Sequence, residues 1–221
     1  MKSFIRLTSL VLPLIFCHRA LGDFWVNEIN YESSPSIEIV ASPSSAGVNL
    51  GTVILSLYDG ATGNIYASHA LSSFTLGATT NDYSLYSLSG FTIQAGNPSG
   101  QPDSPDGWAI SIGASVFEFR SYEGVFTANS GVAAGLTSTD IGVRQNTGFP
   151  TQSSSQLLGT GMRASDFLWI VGQGPSFGQV NLGQTLVAVP EPNSIVLLGL
   201  AIAGIFAGCK RNSGKCNRVA A

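Results

Sequence analysis

The sequence predicts an all-β domain, an antiparallel sandwich or barrel, enclosed by two apolar chain ends. Short runs of alternating apolar and polar residues recur through residues 23–186, and turn-forming residues separate them. Gly, Ser, Thr and Asn are abundant there, whereas Lys is absent and Glu, Gln and Met are few. Good helix formers are therefore scarce, and short strands at this spacing favour two packed sheets or a closed one.

Residues 1–22 have the order of a secretory signal peptide. Lys2 and Arg6 give the positively charged start, and residues 7–16 form an apolar core that is too short for a stable membrane anchor. A small-x-small site precedes the expected cleavage between Gly22 and Asp23. The Sec export machinery is therefore an expected partner, and the mature chain begins at Asp23.

Eight strands are predicted from the alternating runs. They cover residues 24–31, 36–40, 52–58, 65–71, 83–93, 107–112, 116–122 and 167–171. Residues 59–64, Asp-Gly-Ala-Thr-Gly-Asn, predict a hairpin loop between the third and fourth strands. In the first strand, the two-residue period places Trp25, Ile29 and Tyr31 on one face.

The same period assigns faces to the strand at 116–122. Phe117 and Phe119 point inward, and Glu118 and Arg120 point outward. Just before the strand at 107–112, residues 104–107, Ser-Pro-Asp-Gly, have the composition of a turn.

Residues 23–186 form one domain with an acidic balance. Its three arginines face twelve acidic residues, which gives a net charge of −9 (3 minus 12), although the whole chain is only −3. This charge repels phosphate backbones, so nucleic acid is excluded as an expected partner. The domain has no cysteine, so its core must hold without disulfides.

Residues 187–221 form a tripartite end of the chain. Pro190, Glu191 and Pro192 come first and are expected to be extended. The 18 residues from Pro192 to Cys209, which include the apolar run 195–207, would span roughly 27 Å as a helix, close to the ~30 Å hydrocarbon core. A basic tail follows and predicts a cytoplasmic end; its cations are Lys210, Arg211, Lys215 and Arg218.

This order resembles the PEP-CTERM sorting signal of bacterial surface and exported proteins. The resemblance implies that an exosortase, a membrane transpeptidase-like protease, recognises the segment and cuts near Pro190-Glu191-Pro192. The tail departs from the compact Arg runs of such signals, because Asn and Gly residues dilute its charge. A plain single-span membrane anchor is the alternative interpretation.

A second resemblance covers most of the domain. The opening strands, Val26–Tyr31 and Ile37–Ile39, resemble the start of lamin-tail domains. Later stretches resemble the secreted bacterial branch of that group, in the same order: residues 104–107, 121–124, 136–142, 153–161 and 177–181. The resemblance implies an immunoglobulin-like β-sandwich that serves as an interaction or accessory module and implies no reaction.

Few residues offer catalytic or metal-binding chemistry. His69 is the one histidine of residues 23–186 and lies on a predicted strand with no G-x-S-x-G sequence nearby. Any two of the twelve acids could converge as a hydrolase pair, although no pair stands out. Asp103 and Asp106 are candidate calcium ligands, with a solvated acidic loop as the alternative. The tryptophans and tyrosines are expected in the core, with sugar stacking as the alternative.

Together these patterns predict an exported, non-catalytic envelope protein without a required cofactor. It is membrane-anchored, or at the cell surface after processing, with its C-terminus cytoplasmic beforehand. The sorting resemblance is associated with exopolysaccharide-producing bacteria. The expected partners are therefore the exosortase, the membrane and either exopolysaccharide or other surface proteins. A secreted carboxylate-dependent hydrolase is the alternative function.

Overall fold

The structure is a computed structural model that describes residues 23–32, 34–95, 105–145 and 153–189. The chain divides into two compact units, residues 1–187 and 188–221. In its described residues the first unit consists of short β-strands and single turns of 3-10 helix joined by turns and loops, with no α-helix. Its strands are β1 (Phe24–Asn30), β2 (Ser36–Ala41), β3 (Val53–Asp59), β4 (Asn64–Ala70), β5 (Thr75–Thr80), β6 (Tyr83–Ser89), β7 (Asp106–Ile112), β8 (Ser115–Tyr122), β9 (Thr139–Asp140), β10 (Ser154–Gly161), β11 (Leu168–Gln173) and β12 (Gln184–Leu186).

The strands form two sheets. The larger has the order β11-β10-β1-β2-β6-β5, with β12 also paired to β10, and the smaller has the order β4-β3-β7-β8-β9. Most pairings are antiparallel, as predicted, but β12 runs parallel to β10 and β9 runs parallel to β8. The all-β prediction is confirmed, while the sheets are mixed rather than purely antiparallel.

One hydrophobic core is shared by the two sheets. The larger sheet contributes Ile37 and Ile39 of β2, and the smaller contributes Val53, Leu55 and Leu57 of β3. These residues alternate with polar or oppositely facing neighbours, so the predicted two-residue period is confirmed in both strands. The predicted hairpin at residues 59–64 is also present, because β3 and β4 pair antiparallel across it.

A β-bulge in β1 overturns the predicted face of Trp25. The register with β2 shifts between Val26 and Glu28, which makes Asn27 the extra residue. An extra residue inverts the alternation beyond it. Ile29 and Tyr31 therefore lie in the shared core, whereas Trp25 belongs to a second apolar cluster.

A second bulge reverses the predicted faces in β8. The register with β7 shifts so that Glu118 pairs with the core residue Ile110, and Glu118 is buried instead of pointing outward. Phe119 packs on the other face, against Tyr58 and Phe126. The prediction was wrong for Glu118 and Phe119 because the bulge shifts the alternation by one residue. It was also wrong for Arg120, which pairs with the core residue Trp108 and is half-buried on the same face as Glu118.

Four strands were not predicted from the sequence, and one predicted turn is a strand. β5, β9, β10 and β12 are additional, so residues 167–171 are not the last strand. Asp106 and Gly107 open β7 instead of turning, and a Cβ on Gly107 would lie 2.2 Å from the backbone oxygen of Arg120. Glycine is needed there for close strand approach and not for a turn.

Within the described residues, no helix is long and apolar enough to cross a membrane. The apolar run predicted to span, residues 195–207, lies outside the described ranges. The same is true of Gly22, Asp103 and the whole of residues 190–221.

Candidate functional site

The end of the folded domain is fixed by strand β12. Leu186 is buried in the second apolar cluster, and its backbone oxygen accepts a hydrogen bond from Asn81 Nδ2 at 2.7 Å. The Val187 amide donates to the Gly161 oxygen at 2.8 Å. The hydroxyl of Tyr83 donates to the Val187 oxygen at 3.1 Å and lies 2.9 Å from the Met162 oxygen. These contacts anchor the chain up to Val187.

The side chains become exposed from Val187 onward, although the backbone of Val187 itself is anchored. Val187 shows 37% of its surface and Val189 shows 46%. Only Ala188 and Val189 stand between the anchored residue and Pro190 in the sequence. The predicted processing residues Pro190, Glu191 and Pro192 and the predicted tail cations Lys210, Arg211, Lys215 and Arg218 lie outside the described residues.

Comparison with known protein families identifies the residues that follow the β-domain. Residues 188–211 match the PEP-CTERM protein-sorting motif. The chain thus carries the sorting signal that its sequence resembled, and the motif starts one residue after Val187. Such a motif implies exosortase-mediated processing, with export and C-terminal anchoring or processing at the cell envelope. No curated protein and no solved structure matches the chain.

The other end of the domain begins at the predicted cleavage point. The amide of Asp23 lies 3.2 Å from Ser42 Oγ and 3.3 Å from Ser44 Oγ, so it donates to hydroxyl groups. Its backbone oxygen accepts from the Ser42 amide at 2.9 Å. Burial raises the pKa of the Asp23 carboxyl, and the charge of Arg163 opposes this effect. Asp23 is therefore already part of the fold.

Asp23 also lines a cavity of about 200 Å³ between the start of β1 and strand β8. The remaining lining residues are Phe24, Trp25, Phe117, Glu118, Phe119, Arg120, Thr139 and Ala164. Carboxylate, guanidinium and hydroxyl groups thus share one space with aromatic rings. We call it the β1–β8 cavity.

Glu118 is the most tightly held group of the β1–β8 cavity. Its Oε2 accepts hydrogen bonds from the Val26 amide at 2.9 Å and from Trp108 Nε1 at 3.0 Å. Its Oε1 lies 3.6 Å from Nε of Arg120, which is an ion pair but longer than a hydrogen bond. Burial raises the pKa of Glu118, and the two donors and Arg120 oppose the increase.

A second set of acidic groups lies in the larger sheet and is fully buried. Glu28 of β1 and Glu38 of β2 are cross-strand partners with no exposed surface. Ser154 Oγ and Gln156 Nε2 donate to Glu28 Oε1 at 2.5 and 3.0 Å. Asn27 Nδ2 donates to Glu38 Oε1 at 2.8 Å. We call Glu28 and Glu38 the buried carboxyl pair.

Residues 174–183 cover the buried carboxyl pair, and we call them the cover loop. Ser176 donates its amide to Glu28 Oε1 and its hydroxyl to Glu28 Oε2, both at 2.9 Å. The amide of Gly178 donates to Glu38 Oε2. Asn181 Nδ2 donates to the Leu157 oxygen at 3.0 Å. The carboxyl oxygens are thus occupied by N–H and O–H donors, and the arrangement ties the cover loop to the sheet.

The remaining predicted site residues have structural surroundings. Asp106 is buried, and its Oδ1 accepts from the Gly60 amide at 3.0 Å. In the ranges that the structure describes, no group of three His, Cys, Asp or Glu side chains is arranged to hold a metal ion. His69 is half-buried on β4 and meets the ring of Phe91 edge-on.

Most of the tryptophans and tyrosines lie in the core, as predicted. Trp25, Tyr31, Tyr83 and Trp108 are buried. Tyr122 is also buried and stacks on Tyr31 with centroids 4.1 Å apart. Neither acidic site was predicted from the sequence. Glu118 was expected to point to solvent, and Glu28 was not identified as a candidate. One signal was present: glutamates inside otherwise apolar strands are unusual and require partners when buried.

Proposed function

We propose that the protein is exported and displayed at the cell surface or envelope by exosortase processing near Pro190-Glu191-Pro192. The observation that carries this proposal is the sorting motif at residues 188–211, which begins directly after the last anchored residue of the β-domain. The signal-peptide pattern of residues 1–22 and the Sec route that it implies also support export of the protein.

We further propose that the β-domain is an immunoglobulin-like module of the lamin-tail type with a non-catalytic role. Two mixed sheets around one core suit such a sandwich. The expected role is association with matrix, polysaccharide or other surface proteins. The buried carboxyl pair supports a structural use of its acids, since donors occupy its oxygens and solvent does not reach it.

One observation favours the alternative, a carboxylate-dependent hydrolase. Asp23 and Glu118 line the same cavity, and burial raises the pKa of each. A carboxyl with a raised pKa is suited to general-acid chemistry. However, the hydrogen bonds from Val26 and Trp108 hold one oxygen of Glu118 away from any reaction. Release of sugar from an oligosaccharide by the wild-type protein, abolished in both Asp23→Asn and Glu118→Gln, would establish the hydrolase.

The sorting proposal is tested by intact-mass analysis of protein recovered from the cell surface of the native host. Wild-type protein should end near Pro190 and lack the residues up to Ala221. A triple variant, Pro190→Ala with Glu191→Ala and Pro192→Ala, should keep Ala221 and stay in the membrane fraction. The matched control, Asn193→Ala with Ser194→Ala, changes the adjacent residues and should be processed normally. Wild-type protein that retains Ala221 would show a plain anchor.

A further inference from the structure

The β1–β8 cavity is not needed for sorting, yet it is built like a binding site. We propose that it binds one sugar residue of a neutral polysaccharide, which deepens the proposed surface role and rests on it for the exported location. The ligand class follows from the wall chemistry, the charge balance and the size of the cavity.

The polar wall is prepared for hydroxyl groups. The two hydrogen bonds to Oε2 fix the Glu118 carboxylate, while Oε1 has only the 3.6 Å contact with Arg120 and retains acceptor capacity for a ligand O–H. The side chain of Arg120 is 32% exposed, so its guanidinium can donate to a ligand oxygen without being freely solvated. Acceptor and donor stand side by side, as a vicinal pair of hydroxyl groups requires.

One of the lining residues carries a buried, unpartnered donor. Trp25 lines the cavity and is 1% exposed. Within the described residues its indole Nε1 is buried without a hydrogen-bond acceptor. A buried N–H that lacks an acceptor costs about 1–3 kcal/mol. A ligand oxygen would satisfy this donor only by reaching Nε1, which has no solvent-accessible surface in the free protein.

The apolar wall and the volume set the size of the ligand. Phe24, Phe117 and Phe119 are among the lining residues, so part of the wall is apolar and suits the C–H surface of a pyranose. The volume of about 200 Å³ is smaller than the roughly 300–1,000 Å³ of pockets for drug-sized ligands. The cavity therefore suits a single sugar unit rather than a long segment.

The charge balance disfavours an anionic ligand and suits hydroxyl groups. The lining contains two carboxyl groups, Asp23 and Glu118, and one guanidinium, Arg120. A ligand carboxylate would meet two like charges, whereas a ligand cation would be attracted by the two carboxylates and repelled by Arg120. Hydroxyl groups can both donate to the carboxylates and accept from the guanidinium, so they suit all three residues.

Saturation-transfer NMR on the full-length protein in a detergent without a sugar headgroup tests this inference. The probes are glucose, galactose, mannose and N-acetylglucosamine at millimolar concentration, with glucuronate as the charged comparison. At least one neutral probe should show saturation transfer, and glucuronate should bind more weakly. Arg120→Gln should weaken that binding roughly tenfold or more, the loss of a charged hydrogen bond. Arg144→Gln, which removes the ion-paired arginine outside the cavity, is the matched control.

A second variant keeps the test meaningful if Arg120→Gln misfolds. Ala164→Phe adds a ring to the cavity wall without changing any charge, and it should abolish binding while the circular dichroism spectrum stays that of wild type. No transfer from any neutral sugar, tighter binding of glucuronate, or unchanged binding in folded Ala164→Phe would each overturn the inference. Because processing at Pro190 is measured separately by mass, failure of sugar binding leaves the sorting proposal intact, and the reverse also holds.

Discussion

Glu28 and Glu38 face each other as direct cross-strand partners, and neither side chain reaches solvent. Like charges in this relationship destabilise a sheet, and burial penalises each charge further. Burial raises the pKa of Glu38 to about 8, hydrogen bonds from Asn27 and Gly178 oppose this, and the charge of Glu28 adds to it. Burial also raises the pKa of Glu28. The pair is therefore sensitive to proton concentration.

The domain should become less stable as pH rises from about 4.5 to about 8. The folded pKa of Glu38 is about 8, against an ordinary value of 4.5. Its protonation therefore stabilises the fold fully below 4.5, and this contribution is lost as pH rises to 8. The slope should reach about 1.4 kcal/mol per pH unit from this one group. Urea unfolding of the full-length protein between pH 5 and pH 9 measures it.

Two variants isolate the origin of that slope. Glu38→Gln removes the titrating group and should flatten the profile. Asp82→Asn neutralises an exposed carboxyl at a positive-φ position that Asn tolerates, and the profile should stay unchanged. Stability that rises with pH in the wild-type protein would contradict the assignment.

Ser176→Ala should loosen the cover loop. The substitution removes hydroxyl contacts to Glu28 at 2.9 Å and to Asn181 at 2.7 Å, and it leaves buried acceptors without this donor. The free energy of unfolding should fall by about 1–3 kcal/mol. Amide hydrogen exchange should accelerate in residues 174–187 before it does in β3 and β7. Ser165→Ala changes an exposed serine and serves as the control.

Gly107→Ala should destabilise the smaller sheet. A Cβ at this position would lie 2.2 Å from the Arg120 backbone oxygen, so β7 and β8 would have to separate. The expected loss is roughly 1–3 kcal/mol or more, measured by thermal unfolding. Gly174→Ala is the matched control, because a Cβ there meets nothing within 4 Å. Equal melting temperatures for the two variants would refute the close-approach explanation.

Tyr83→Phe should free the end of the domain. The hydroxyl of Tyr83 holds the backbone oxygens of both Met162 and Val187, and its loss removes both contacts. Limited proteolysis should then cut between residues 184 and 189 faster than in wild type, while global stability falls by about 1 kcal/mol. Tyr86→Phe, on the opposite face of β6, should leave the cleavage rate unchanged.

The sequence predicted the buried face of a strand where alternation is uninterrupted, and that prediction failed where a bulge intervenes. In β3 the period of two places Val53, Leu55 and Leu57 in the core as expected. In β1 and β8 one extra residue reverses the faces, and no residue type in the sequence marks Asn27 or Phe117 as that extra residue.

Long-range assembly explains the sites that the sequence did not predict. Glu28 depends on Ser176, which lies 148 residues away, and Glu118 depends on Val26, which lies 92 residues away. Pairings at such separations leave no local pattern. The sorting motif, by contrast, is contiguous and was predictable from residue order alone.

The parallel pairing of β12 with β10 also has a consequence for the order of synthesis. The strands made first, β1 and β2, carry two acidic groups whose covering donors, Ser176 and Gly178, are among the last residues of the domain to be made. Non-local contacts of this kind delay folding until both ends are available. The domain therefore cannot complete its fold until the chain up to Leu186 has been made and, under the proposed export, has crossed the membrane. The sorting motif starts at residue 188, so the last strand of the domain and the sorting signal reach the membrane one directly after the other.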